Sequence, residues 1–76
     1  MVFEGAFEAV TQEYKRASHD FQPFHSAHEG LAVIEEEFEE LKSEVFKSPS
    51  ARNWSQMQEE AVQVAAMALR FLVDCC

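Results

Sequence analysis

The sequence is poor in the residues that staple or bend small proteins, with two cysteines, two glycines and two prolines among 76 residues. Cys75 and Cys76 sit side by side at the C-terminal end. They form no disulfide framework, no Cys-x-x-Cys pair and no zinc knuckle, so a reducing, cytoplasmic setting is expected. With only Gly5 and Gly30, there is no glycine-rich loop to cradle phosphates. Positive charge is also scarce: six Lys and Arg against 14 Asp and Glu leave a net charge of −8. That excludes nucleic-acid binding through a basic face. An acidic chain of this kind takes a phosphate compound only where metal ions sit between the two negative partners. No apolar run approaches the roughly 18 residues of a membrane span, so no membrane association is expected. Met1-Val2-Phe3-Glu4-Gly5 shows no basic stretch followed by an apolar one, and no signal peptide is expected. Strand-like alternation and internal repeats are missing as well.

What the chain does have is apolar surface: 47% hydrophobic residues, seven of them Phe. A chain this short buries only about 60% of its unfolded surface, so a partner subunit is expected to cover part of that material. Residues 1–76 make one domain, and the periodicity is helical throughout. Phe3, Ala6, Phe7, Val10 and Tyr14 recur at helical spacing and predict a first helix over about 3–18. Pro23 marks a connection over 19–28, with Phe21 and Phe24 on either side of it. Ser26 followed by Glu29 predicts a capping box for a second helix over about 27–46, whose apolar stripe is Leu31, Ile34, Phe38, Leu41 and Val45. Ser48-Pro49-Ser50 ends it. A third helix is predicted over about 54–73, capped by Asn53 or Ser55.

The third helix is apolar nearly all round from Ala61 to Val73, with Gln63 and Arg70 as exceptions. Such a helix is buried on more than one side, which a three-helix chain achieves by assembling with other copies. Its polar residues Gln56, Glu60, Gln63, Arg70 and Asp74 fall in one seam, with Met67 in the gap. A polar seam on a buried helix must face something polar. Arg70 reads as an ion-pair partner of Asp74 or of another subunit.

The second helix carries six carboxylates in ten positions, Glu35 to Glu44. Glu37, Glu40 and Glu44 share the face that borders the apolar stripe, with no Lys or Arg at an obvious pairing position. Like charges held together near a low-dielectric region repel, unless a cation neutralises them. Mg²⁺ or Mn²⁺ suits such oxygen donors. Glu60 and Gln63, three apart on the third helix, offer the second half of the site. The competing interpretation is an acidic face that merely keeps the chain soluble. Other chemistries fit less well. His28-Glu29 is not followed by the second histidine of a zinc-protease motif, no Glu-x-x-His pair marks a di-iron bundle, and His25 and His28 lack a third protein ligand for zinc.

At these residues the sequence resembles the MazG-like family of all-α nucleoside triphosphate pyrophosphohydrolases. Glu36-Glu37-Phe38-Glu39-Glu40 is similar to the family's Glu-Glu-x-x-Glu, and Glu60-Ala61-Val62-Gln63 to its Glu-x-x-Asp, except that Gln63 stands where aspartate is usual. The flanks Phe24 to Gly30 and Val64 to Phe71 look like a small-protein branch of the same group, and the similarity covers roughly residues 20–74. The resemblance implies an all-α, three-helix chain in an oligomeric helical bundle, a dimer or tetramer. It also implies Mg²⁺-dependent cleavage of an NTP or dNTP between the α- and β-phosphates. Glu37, Glu40 and Glu60 would be metal ligands, with Gln63 beside them, and Glu36 or Glu44 would act as base. An amide oxygen at Gln63 can ligate Mg²⁺ but brings no charge and cannot serve as a base. Substrate contacts would fall to His28, to the cations Lys47, Arg52 and Lys15, and to the aromatics Trp54, Phe21 and Phe24. The alternative is a non-catalytic helical oligomer that binds a nucleotide or a protein partner.

Overall fold

The local signals place three helices where the periodicity predicts them. The computed structural model describes all 76 residues and contains α1 (Phe3–Asp20), α2 (Ala27–Val45), a single 3₁₀ turn (Pro49–Ala51) and α3 (Trp54–Cys75), with no strand. α1 runs two residues past its expected end. Arg16 pairs with both Glu13 and Asp20 one turn away, and the Phe21 N–H closes onto the Ala17 carbonyl before Pro23 stops further winding. The Ser26 hydroxyl accepts from the Glu29 N–H at 3.1 Å. Glu29 reaches back to the His25 N–H at 3.0 Å, one residue beyond the position a standard box would use. For α3 the cap is Asn53, whose side chain accepts from the Gln56 N–H at 3.0 Å.

α3 is the central element. α1 and α2 both pack on it, and their backbones do not approach each other closely. A groove therefore runs between α1 and α2 with α3 as its floor, and the polar seam of α3 faces into it. The core is small: Ala17, Phe24, Ala66 and Met67 are buried, with Val10, Tyr14, Val33, Ile34, Phe71 and Cys75 packed around them. Gly30 decides how close α2 comes to α3. A Cβ at that position would lie 2.8 Å from a Phe71 ring carbon and 3.0 Å from one of Phe24.

That contact corrects the expected stripe of α2. The helix turns Gly30, Val33, Glu37 and Glu44 inward along with Ile34, Leu41 and Val45 of the expected stripe. Leu31 and Phe38, one residue and so about 100° further round, are 59% and 50% exposed. On α1 the inner line is Ala6, Val10, Tyr14 and Ala17, while Phe3 and Phe7 stack on each other at 6.2 Å on the outside. Phe46, Trp54, Leu72 and Val73 are exposed too.

The connections are pinned by α3 and by its cap. Asp74 accepts from the Phe24 N–H at 3.0 Å, and Arg70 donates to the Gln22 carbonyl at 2.9 Å. Arg70 is therefore not the ion-pair partner of Asp74 that the sequence suggests. Each residue instead holds the loop before α2. At the other end, Glu44 accepts from Lys47 at 2.7 Å and from the Asn53 N–H at 2.6 Å, while Arg52 donates to the Val45 carbonyl at 3.0 Å. The expectation that the acidic face lacks a basic partner fails at Glu44, because the turn after α2 folds Lys47 back onto it.

Candidate metal centre

Helical spacing places Glu37 and Glu40 one turn apart on the inner edge of α2, and Glu60 opposite them on α3. One carboxylate oxygen from each of the three lies within 4.8 Å of the other two. The acidic cluster is thus a cross-helix constellation rather than a run along one surface. Glu60 receives a hydrogen bond from the Gln56 amide on one oxygen. Its other oxygen, Oε2, is shielded from solvent and has no hydrogen-bond partner. A shielded carboxylate oxygen without a donor is costly, and a hard cation among these three groups relieves that cost.

The electrostatics agree with the geometry. Partial burial pushes the Glu37 carboxyl above its ordinary value, and the charges of Glu40, Glu60 and Glu36 add to the effect. Glu60 is also raised, first by burial and then by Glu40. Both shifts report an environment that disfavours additional negative charge.

The cluster opens into a cleft of about 620 Å³ in the groove between α1 and α2. Glu36, Glu37, Glu40, Glu60 and Gln63 all line it, together with Phe21 and Phe24, so these seven sequence-predicted residues share one site. Glu44, Lys47, Arg52, Lys15, His28 and Trp54 do not line it. Glu44 is committed to Lys47 and the Asn53 backbone, and the nearby ammonium holds its carboxyl below the ordinary value. Lys47 and Arg52 belong to the α2–α3 connection. Neither His28 nor Trp54 lines the cleft, and both are exposed.

Sequence reasoning missed Glu59 and the arginines of the cleft, Arg16 and Arg70. Arg70 was within reach, since it lies on the same polar seam as Glu60 and Gln63. Arg16 carried no signal beyond its helical pairing, with Glu13 held below its ordinary value chiefly by the Arg16 hydrogen bond. Comparison with family models, curated proteins and solved structures yields no match for the chain.

Proposed function

We propose that the protein is a metal-dependent (d)NTP pyrophosphohydrolase that cleaves between the α- and β-phosphates. The observation that carries this reading is the meeting of Glu37, Glu40 and Glu60 from two helices within 4.8 Å. The shielded, unpartnered Oε2 of Glu60 supports a cation there over a solvated acidic face. The resemblance to the MazG-like family supports the choice of reaction.

Glu37, Glu40 and Glu60 would hold Mg²⁺ or Mn²⁺, with the Gln63 amide at the same cleft. The bound ion would neutralise phosphate charge and polarise the phosphoryl group. Glu36, at the exposed rim, is the carboxylate free to take a proton from the attacking water. The water oxygen bonds to the α-phosphorus, the bond from that phosphorus to the bridging oxygen breaks, and the products are the (d)NMP and pyrophosphate. Gln63 serves as hydrogen-bond donor and acceptor for water or substrate and takes no proton.

The working form is a homo-oligomer. None of the large side chains is fully buried, and eleven large hydrophobics are exposed. Exposed apolar surface on that scale marks an association face. Sedimentation of the chain at micromolar concentration should give a dimer or tetramer mass, and a stable folded monomer would remove this part of the reading.

The decisive assay is pyrophosphate release from a nucleotide panel with Mg²⁺ or Mn²⁺. Metal-dependent turnover, absent in the double variant Glu37→Gln plus Glu40→Gln, is the expected result. No release above that variant sinks the enzyme reading. Gln63, which stands where the family has an acid, favours one alternative: a helical oligomer that binds metal and nucleotide without turnover. Calorimetry that finds tight binding with no product would select it.

A further inference from the structure

Arg70 is 4% exposed and makes none of the ion pairs in the chain. Asp74, its neighbour one turn on, gives its carboxylate to the Phe24 N–H. Of the five N–H bonds of a guanidinium, one meets the Gln22 carbonyl at 2.9 Å and one the Met67 sulfur at 3.6 Å. The Nε–H is buried and has no acceptor. The group is also held in place, stacked with its central carbon 4.3 Å from the Phe24 ring centroid. A buried, immobilised cation without an anion is an expensive arrangement. It lines the same cleft as the carboxylate cluster.

Its place in that cleft follows from the helix. Arg70 is ten residues beyond Glu60 on α3, about 15 Å along the axis, and side chains lean toward the helix N-terminus. The Met67 contact shows that lean, which brings the guanidinium back toward the carboxylates. The other cleft arginine, Arg16, is spent on Glu13 and Asp20. One cleft thus carries both the Glu37, Glu40 and Glu60 carboxylates and the Arg70 guanidinium.

We propose that Arg70 is the anion-binding residue of the cleft and receives a phosphate oxygen of an elongated, metal-bound phosphorylated ligand on its Nε–H edge. The choice of phosphate as the anion rests on the hydrolase reading. The vacant donor and its burial do not. Arginine suits the role because its planar fork matches a phosphate face in a way that a lysine ammonium does not.

The test uses ¹⁵N-labelled protein in Mg²⁺, titrated with inorganic pyrophosphate. The Arg70 Nε–H resonance, assigned by its loss in Arg70→Lys, should shift and saturate. Arg70→Lys should weaken pyrophosphate binding by about tenfold and Arg70→Gln by more, while calorimetric Mn²⁺ affinity stays within about twofold. A resonance that does not move, pyrophosphate that does not bind, or variants that bind it as well as the parent would each overturn the assignment. So would variants that change only the sedimentation mass, because the anion would then be a carboxylate of a second copy. The two readings fail separately. Pyrophosphate that engages Arg70 without nucleotide turnover removes the hydrolase alone, and turnover with an unmoved Arg70 removes this assignment alone.

Discussion

Gly30 and Phe71 lie so close that a methyl group on the glycine would come within 2.8 Å of the ring. An alanine in the interior of α2 would gain about 1 kcal/mol in helix propensity. Overpacking against Phe71 and Phe24 costs roughly 1–3 kcal/mol. The second effect is the larger, so Gly30→Ala should destabilise the protein by about 1 kcal/mol, a fall of roughly 4–8 °C in melting temperature for a domain of this size. Thermal unfolding monitored by circular dichroism measures it. A melting temperature above that of the parent would show that Phe71 moves aside freely and that α2 is not set by this contact.

Glu60→Gln separates stability from metal binding. The amide keeps the shape and can still accept from Gln56, but removes a charge that Glu37 and Glu40 oppose. The metal-free variant should melt higher than the parent, and the upward shift on adding Mn²⁺ should shrink or vanish. Melting curves with and without Mn²⁺ supply both numbers. Equal metal-induced shifts in parent and variant would remove Glu60 from the ligand set.

The raised carboxyls also fix a pH dependence. In an acid whose folded pKa exceeds its unfolded value, the folded state holds the extra proton in the window between the two. The contribution of Glu37 and Glu60 is thus fully present below the ordinary glutamate value of 4.5 and is lost as pH rises through their folded values. Glu13 and Glu44 act in the opposite sense. Arg16 lowers the first and Lys47 the second, so their contribution is present above 4.5 and is lost as pH falls through their folded values. Metal-free protein should therefore lose stability on going up in pH from about 4.5, and saturating Mg²⁺ should flatten that decline. Denaturant midpoints measured across the acid range, with and without metal, test both statements.

Glu44 should behave as a structural residue. It joins the end of α2 to the cap of α3 through Lys47 and the Asn53 N–H. Glu44→Gln should lower the melting temperature yet, under the proposed hydrolase reading, leave kcat within about twofold, whereas Glu36→Gln should lower kcat at unchanged stability. Kinetics at a temperature well below both transitions distinguish the two. A collapse of kcat in Glu44→Gln without a stability change would return it to the chemistry.

The helices were legible because apolar spacing, the Ser26 and Asn53 caps and Pro23 all act locally. Glu37, Glu40, Glu60 and Gln63 were legible as well, because spacing within a helix determines a face and the polar seam of α3 had to meet one. The inward face of α2 was legible only in part, at Ile34, Leu41 and Val45. Leu31 and Phe38 are strong hydrophobic signals, but Gly30 allows the nearest approach, which brings Val33 and Glu37 inward and leaves those two exposed. The substrate contacts expected at Lys47, Arg52, His28 and Trp54 were read from charge and aromaticity alone. Neither property reveals that a turn after α2 closes Lys47 onto Glu44. The absence of a pair between Arg70 and Asp74 was not legible, because nothing local discloses that Asp74 is taken by a backbone N–H fifty positions away.

The separation of α1 from α2 divides the labour of the cleft. All three clustered carboxylates stand on α2 and α3. α1 contributes Arg16 and Ala17 to the cleft and none of the clustered carboxylates. The two walls are mounted on a shared floor by independent interfaces, so the width of the opening and the ion-holding end can be changed separately. Substitutions at Arg16 and Ala17, the two α1 residues that line the cleft, would change its α1 wall and leave Glu37, Glu40 and Glu60 in place. Under the proposed hydrolase reading, such a scaffold would let the wall that meets the substrate vary while the carboxylates keep their positions.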